Sequence, residues 1–338
     1  MTVLTLELPT LPEFARNRIN LASPRLGAKA IFATDDFFAD KNRMLQDVEA
    51  SFDPDKYDTN GKYMDGWESK RRRHGGHDYA VVKLGARGRI FGVDLDTSFF
   101  TGNFPPAASL EACNSNTDPD DSTVWTQILP AVSLSASAHH FHAIASTEAW
   151  SHLRLHIYPD GGMARLRVYG EPVPDWHGKD PAAIHELSLA NNGGRIVAYN
   201  NAHYGSVWTM LTLGRGINMG DGWETRRRRE PGNDWIIVKL GGTGIVEKIE
   251  VDTCHYKGNY PDRCSVQAAL VESATDQSII TEAMFWPSLM DEQKLSMDQI
   301  HVFAGTDIIH PRGPVNMVKL NIFPDGGISR LRIFGRLA

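Results

Sequence analysis

Apolar and polar residues alternate along much of this chain. In Ile90-Phe91-Gly92-Val93-Asp94-Leu95-Asp96-Thr97, Val93 and Leu95 share one face while Asp94 and Asp96 share the other. His152, Arg154 and His156 likewise oppose Leu153, Leu155 and Ile157, and Arg165 and Arg167 oppose Leu166 and Val168. A period of two predicts half-buried strands. Pro-Asp-Gly-Gly at 159–162 separates the last two runs and predicts a hairpin, because glycine supplies the positive φ of a tight turn. Short strands with regular turns predict an all-β sandwich of the jelly-roll kind. Met44, Leu45 and Val48 lie at helical spacing and predict one short helix within Ala39 to Phe52.

The pattern occurs twice. Asp65-Gly66-Trp67-Glu68 returns as Asp221-Gly222-Trp223-Glu224, 156 residues later, and Arg71-Arg72-Arg73 returns as Arg227-Arg228-Arg229. Over positions 65–111, 20 of 47 residues are identical to their partners in that register, too many for chance. Ile157 through Arg167 returns as Ile322 through Arg332, an offset of 165, so the second copy holds nine extra residues. This predicts homologous domains at 17–172 and 183–338. The Pro-rich stretch 173–182 between them predicts a linker.

Composition narrows the class. Among 338 residues, 41% are apolar and 22% charged, as in packed globular proteins, and 30 Gly with 18 Pro match many turns. Lys and Arg number 35 against 41 Asp and Glu, a net charge of −6, which disfavours nucleic acid or an anionic membrane as partner. Cys113, Cys254 and Cys264 have neither a disulfide nor a metal-site spacing and suit a reducing, cytoplasmic compartment. No apolar run reaches the roughly 18 residues of a membrane helix.

Residues shared by the copies and residues found in one copy mean different things. Trp67/Trp223 and Pro159/Pro324 read as fold-making. The repeated arginine run reads either as an ion-pair network with Glu68 or as an anion site, since guanidinium forks hold carboxylates. Residues present once mark where a single active centre would lie. Asp35 and Asp36 become Asn201 and Ala202, His77 becomes Asn233, His156 becomes Asn321, and His255 replaces Phe99. His140 and His142 share a strand face and Glu148 follows, but the spacing misses the cupin metal pattern, so no metal ligand is assigned. A divalent ion is not excluded, and no cofactor is expected.

Ile19-Asn20-Leu21-Ala22-Ser23, Phe32-Ala33-Thr34-Asp35-Asp36-Phe37-Phe38, Asp65-Gly66-Trp67-Glu68, His77-Asp78, the run Asp94 to Asn103 and the doubled Pro-Asp-Gly-Gly together resemble the allantoicase family, over about residues 14 to 336. The resemblance implies tandem galactose-binding-like jelly-roll domains. It also implies hydrolysis of allantoate to ureidoglycolate and urea, a C–N bond cleavage of purine degradation. For that chemistry Arg72 and Arg228 are candidate carboxylate clamps, with Asn103, Asn259 and Asp96 as partners of the ureido groups. Asp36, Glu68, His77, Asp96 and His255 are candidates for the acid and base. A homo-oligomer is expected. A non-catalytic carbohydrate-binding tandem and a metal-dependent duplicated barrel remain alternatives, the latter requiring His140 and His142 to converge with a carboxylate.

Overall fold

The computed structural model describes residues 3–16, 18–273 and 275–338. The expected first domain start, residue 17, lies outside them. The chain divides into two compact units, residues 1–173 and 174–338.

In the first unit the strands of five or more residues are β1 (Lys29–Ala33), β2 (Asp78–Asp96), β3 (Ala107–Cys113), β4 (Thr126–Ser133), β5 (His139–Ala143), β6 (Ala149–Tyr158) and β7 (Arg165–Pro172). All pairings are antiparallel. β2 is long enough, at 19 residues, to serve two layers. Its first part pairs with β1 and β6, and β3 and β4 continue outward from β6. Its second part, from Gly88, pairs with β7, and Gly92 to Asp96 also pair with β5. Leu153, Leu155 and Ile157 of β6 and Val93 and Leu95 of β2 are fully buried, as the alternation predicts. His152 and His156 on the opposite face of β6 are also buried, although polar alternation suggests a wet face.

The second unit repeats this plan with β8 (Arg195–Tyr199), β9 (Asp234–Asp252), β10 (Arg263–Ala269), β11 (Ser288–Lys294), β12 (Ile300–Ala304), β13 (Val315–Phe323) and β14 (Arg330–Leu337). β9 has the same length as β2, 19 residues, and divides its partners in the same way. Cys113 matches Ala269 at an offset of 156, whereas Leu134 matches Leu295 at 161, each leucine N–H closing onto the residue that precedes β3 or β10. Five of the nine extra residues therefore lie in the segment carrying α1 (Asp276–Glu282), and the other four fall in the loop 305–314.

The short helix expected within Ala39 to Phe52 is a 3-10 turn at Lys41–Leu45, burying Met44 and Leu45 but leaving Val48 exposed. The Pro-rich stretch packs with the second unit, where the Trp176 indole N–H donates to the Gly241 carbonyl at 2.8 Å. Trp67 and Trp223 are fully buried. Each unit also buries one Arg–Asp pair, Arg165–Asp65 and Arg330–Asp221, both at 2.9 Å.

Candidate functional site

The Pro159–Gly162 turn gathers the loops at one end of the first unit. The Ser69 N–H donates to the Gly161 carbonyl at 3.1 Å, the Arg72 N–H to the Asp160 carboxylate at 2.7 Å, the Asp78 N–H to the Pro159 carbonyl at 3.0 Å, and the Gly162 N–H to the Asn103 carbonyl at 2.7 Å. Gly161 has φ +137° and an added Cβ would lie 2.7 Å from the Asn103 carbonyl oxygen, so only glycine fits the turn. The same four bonds recur around Pro324–Gly327, from Thr225, Arg228, Asp234 and Gly327. Much of the repeated sequence therefore builds this loop hub.

Two polar pairs flank it. The Asn103 amide donates to Glu68 at 2.6 Å, and Asn259 repeats the contact with Glu224. Burial raises the Glu68 carboxyl above the usual range, against the opposing pull of Asn103. Arg72 Nη2 pairs with the buried Asp78 at 2.8 Å, and Arg228 Nη2 with Asp234 at 2.9 Å. The Thr34 hydroxyl also donates to Asp78. Both arginines keep a buried Nε without a protein acceptor. In the second unit Glu224, Arg227, Arg228, Asn259 and His203 line a cleft of about 710 Å³.

Beside Arg72 runs a chain of titratable groups. His77 Nε2 lies 2.8 Å from His156 Nδ1, His156 Nε2 lies 2.8 Å from Glu111 Oε2, and Arg154 Nε donates to the same oxygen at 2.7 Å. An ionised carboxylate only accepts, so His156 donates through Nε2 and accepts at Nδ1, and His77 donates through Nε2. This leaves His77 Nδ1 as the basic end. Burial lowers the His77 pKa, reinforced by neighbouring His156 and Arg72, so its ring stays neutral further into acid. Burial alone would raise Glu111, but the hydrogen bonds from His156 and Arg154 carry it below the ordinary range. Tyr79, Glu111, Trp125, Arg154, Asp118 and Asp120 line an open cleft of about 610 Å³ on this sheet face.

The second copy keeps this geometry without its protons. Asn233, Asn321 and Gln267 replace His77, His156 and Glu111, with Asn321 donating to Gln267 at 3.2 Å and Asn233 to Asn321 at 3.4 Å. Amides hydrogen-bond but do not shuttle protons. The face is also covered, since Ile279 and Ala283 of the α1 segment and Trp286 pack on Ile237 and Met317.

The other expected residues lie elsewhere. Asp36 pairs with Lys41 at 2.9 Å. Its neighbour Asp35 accepts from the Lys70 N–H as Asn201 does from the Arg226 N–H, a latch common to both units. Asp96 sits at the far end of β2, where burial raises its carboxyl, and it accepts from the Ser98 N–H at 2.7 Å. His255, in the second unit, has φ 69° and its Nε2 lies 2.8 Å from the Gly216 carbonyl. His140 accepts from the Ser135 N–H as His301 does from the Ser296 N–H, so that imidazole belongs to a repeated turn. Among the described residues, the group that brings a histidine and carboxylates within metal-binding reach is Glu49, Asp96 and His139, rather than His140, His142 and Glu148. Glu111 and Arg154 escape a reading of motifs. Their signal was available in the copy comparison, as Gln267 and Lys319, next to the His156/Asn321 difference.

The Allantoicase repeat family model matches residues 19–173 and 185–338. Probable allantoicase 1 of Burkholderia mallei (strain ATCC 23344) is 56% identical over 335 residues, 99% of each chain. Probable allantoicase of Ralstonia nicotianae is 54% identical over 338 residues, all of both chains. The crystal structure of allantoicase from Saccharomyces cerevisiae superposes with a TM-score of 0.76 at 31% identity, covering 95% of this chain and 94% of that one.

Proposed function

Because the chain belongs to the allantoicase family, we propose that it hydrolyses allantoate to ureidoglycolate and urea, with its acid–base machinery in the first unit. The observation that carries the activity is similarity to allantoicases across both repeats at 54–56% identity. The observation that favours the first unit is the His77–His156–Glu111 chain, which the second unit replaces with amides.

Allantoate carries a carboxylate and two ureido groups on one carbon. Urea leaves poorly as an anion, so the departing nitrogen needs a proton and the incoming water needs a base. His77 suits the base, with Nδ1 free and the ring kept neutral by its surroundings. Glu68 suits the acid, because a carboxyl raised by burial holds its proton closer to neutrality. In the balanced step the central carbon loses a ureido nitrogen and gains the water oxygen. The water proton passes to His77, and the Glu68 proton leaves on urea. Glu111 stabilises the imidazolium character that spreads to His156.

The unpartnered Nε of Arg72 suits the substrate carboxylate, and Asn103 suits a ureido carbonyl. Arg228 and Asn259 offer the same groups to the same ligand class in the second unit's cleft. Asp36 and His255 have no step in this scheme, being engaged by Lys41 and the Gly216 carbonyl. Cytoplasmic residence and homo-oligomer assembly belong to the same reading. In support of the former, Cys113, Cys254 and Cys264 are free and buried; no helix of the described residues is long and apolar enough to cross a membrane. Incubation with allantoate should release urea and ureidoglycolate together, and absence of urea at any enzyme concentration would end this reading.

A further inference from the structure

We propose that the first unit binds one divalent cation of the Mn²⁺ or Zn²⁺ class between Glu49, Asp96 and His139. Asp96 ends β2, His139 begins β5, and Glu49 follows the 3-10 turn Lys41–Leu45. Each offers one ligand atom, and these atoms lie within 4.8 Å of one another.

Three features make this more than a group of acids. Asp96 is 1% exposed, and while Oδ1 accepts the Ser98 N–H, Oδ2 is buried without any partner. A buried carboxylate oxygen left unpaired is costly, and a bound cation removes the cost. Next, His139 Nδ1 donates to Asp94 Oδ2 at 2.7 Å, which leaves Nε2 free and 4.0 Å from Asp96 Oδ1. A carboxylate behind an imidazole fixes its tautomer and makes the outer nitrogen a better donor to metal.

The third feature is the answer the second copy gives to the same buried carboxylate. Val48 accepts from Arg165 Nε as Gly214 accepts from Arg330 Nε, so the following residues, Glu49 and Arg215, are equivalent. Arg215 forks onto the two oxygens of Asp252, the counterpart of Asp96, at 3.1 and 3.3 Å. The second copy therefore carries its own cation there, and Ile300 stands where the first has His139. The first copy inverts that charge. It sets Glu49 beside Asp96 and Asp94, with Arg167 held on Glu49 at 3.0 Å. Arg167 does not replace Arg215, because its own counterpart, Arg332, is present in the second copy and pairs with Glu186. One imidazole with two carboxylates suits Mn²⁺ or Zn²⁺.

The test is calorimetric titration of chelator-treated full-length protein with Mn²⁺ and, separately, Zn²⁺, together with elemental analysis. One equivalent per chain is expected. Glu49→Arg, which installs the second copy's guanidinium, and His139→Ile, which installs its isoleucine, should each abolish that equivalent while Asp252→Asn leaves it intact. Absence of binding by either ion in the unmodified protein would overturn the proposal. So would full stoichiometry retained in both variants, and if one variant fails to fold, the other decides.

Discussion

His156 holds Glu111 at 2.8 Å through Nε2, while Asn321, at the same place in the second unit, holds Gln267 at 3.2 Å through its amide. The two copies thus share a hydrogen-bond path, and one of them can carry protons. Replacing the first path by the second is the natural experiment. His156→Asn and Glu111→Gln should each lower kcat by about 10²-fold or more, the usual worth of a positioned acid–base group. KM and the far-UV spectrum should change little, because the amides already fit this fold. A kcat within threefold of the unmodified enzyme in both variants would remove the chain from the mechanism.

The pH profile follows from the same arrangement. A base must be neutral to act, and burial together with His156 and Arg72 lowers His77 from its ordinary value of 6.5, opposed by Asp78. The acid limb of kcat/KM should therefore fall below pH 6.5. His77 is in its basic form above the lowered pKa and loses that form as pH drops through it. Arg72→Gln removes one of the charges that depress His77 and should move the limb upward. A limb at or above 6.5 in the unmodified enzyme contradicts the assignment.

Arg72→Lys and Arg228→Lys keep a positive charge but lose the planar fork and its free Nε. Arg72→Lys should raise KM about tenfold with a smaller effect on kcat, read from steady-state kinetics on allantoate, whereas Arg228→Lys should weaken allantoate binding in the second unit's cleft, read by calorimetry. Unchanged KM in Arg72→Lys, or unchanged binding in Arg228→Lys, would exclude that arginine as a carboxylate clamp.

Stability should depend on the repeated buried pairs. Arg165 is fully buried and faces Asp65 at 2.9 Å, and its guanidinium also donates to the Asp65 and Ala164 carbonyls. Asp65→Asn leaves that cation without a counter-charge and should cost about 3–5 kcal/mol, measured by chemical denaturation. A loss under about 1 kcal/mol would show that the carbonyls alone suffice.

Much of the fold was legible in the residues. The alternation in Val93 to Asp96 and in His152 to Ile157 predicts strands that the structure contains, and the Pro-Asp-Gly-Gly repeats mark turns on which both units organise their loops. Local pattern located the short helix within Ala39 to Phe52, a 3-10 helix at Lys41–Leu45, but wrongly included Val48, an exposed residue that happens to fall at helical spacing. At the candidate site, His77, Glu68, Asn103 and Asn259 were accessible from the sequence as single residues, but their pairings as Glu68–Asn103 and Glu224–Asn259 were not. Glu111 was not, since it lies 45 residues from His156 and reaches it only because β3 pairs with β6. Nor was Glu49, whose meaning depends on knowing that Arg215 forks onto Asp252 in the other copy. A comparison of copies finds such differences, but only the folded registers say which differences touch.

The central claim is cleavage at the tetrahedral carbon of allantoate, and the most direct measurement is product analysis in ¹⁸O-labelled water. One equivalent of urea per allantoate is predicted, with the label in the new hydroxyl of ureidoglycolate and no ammonia released. Unconsumed allantoate, or ammonia with the label in carbon dioxide, would contradict it.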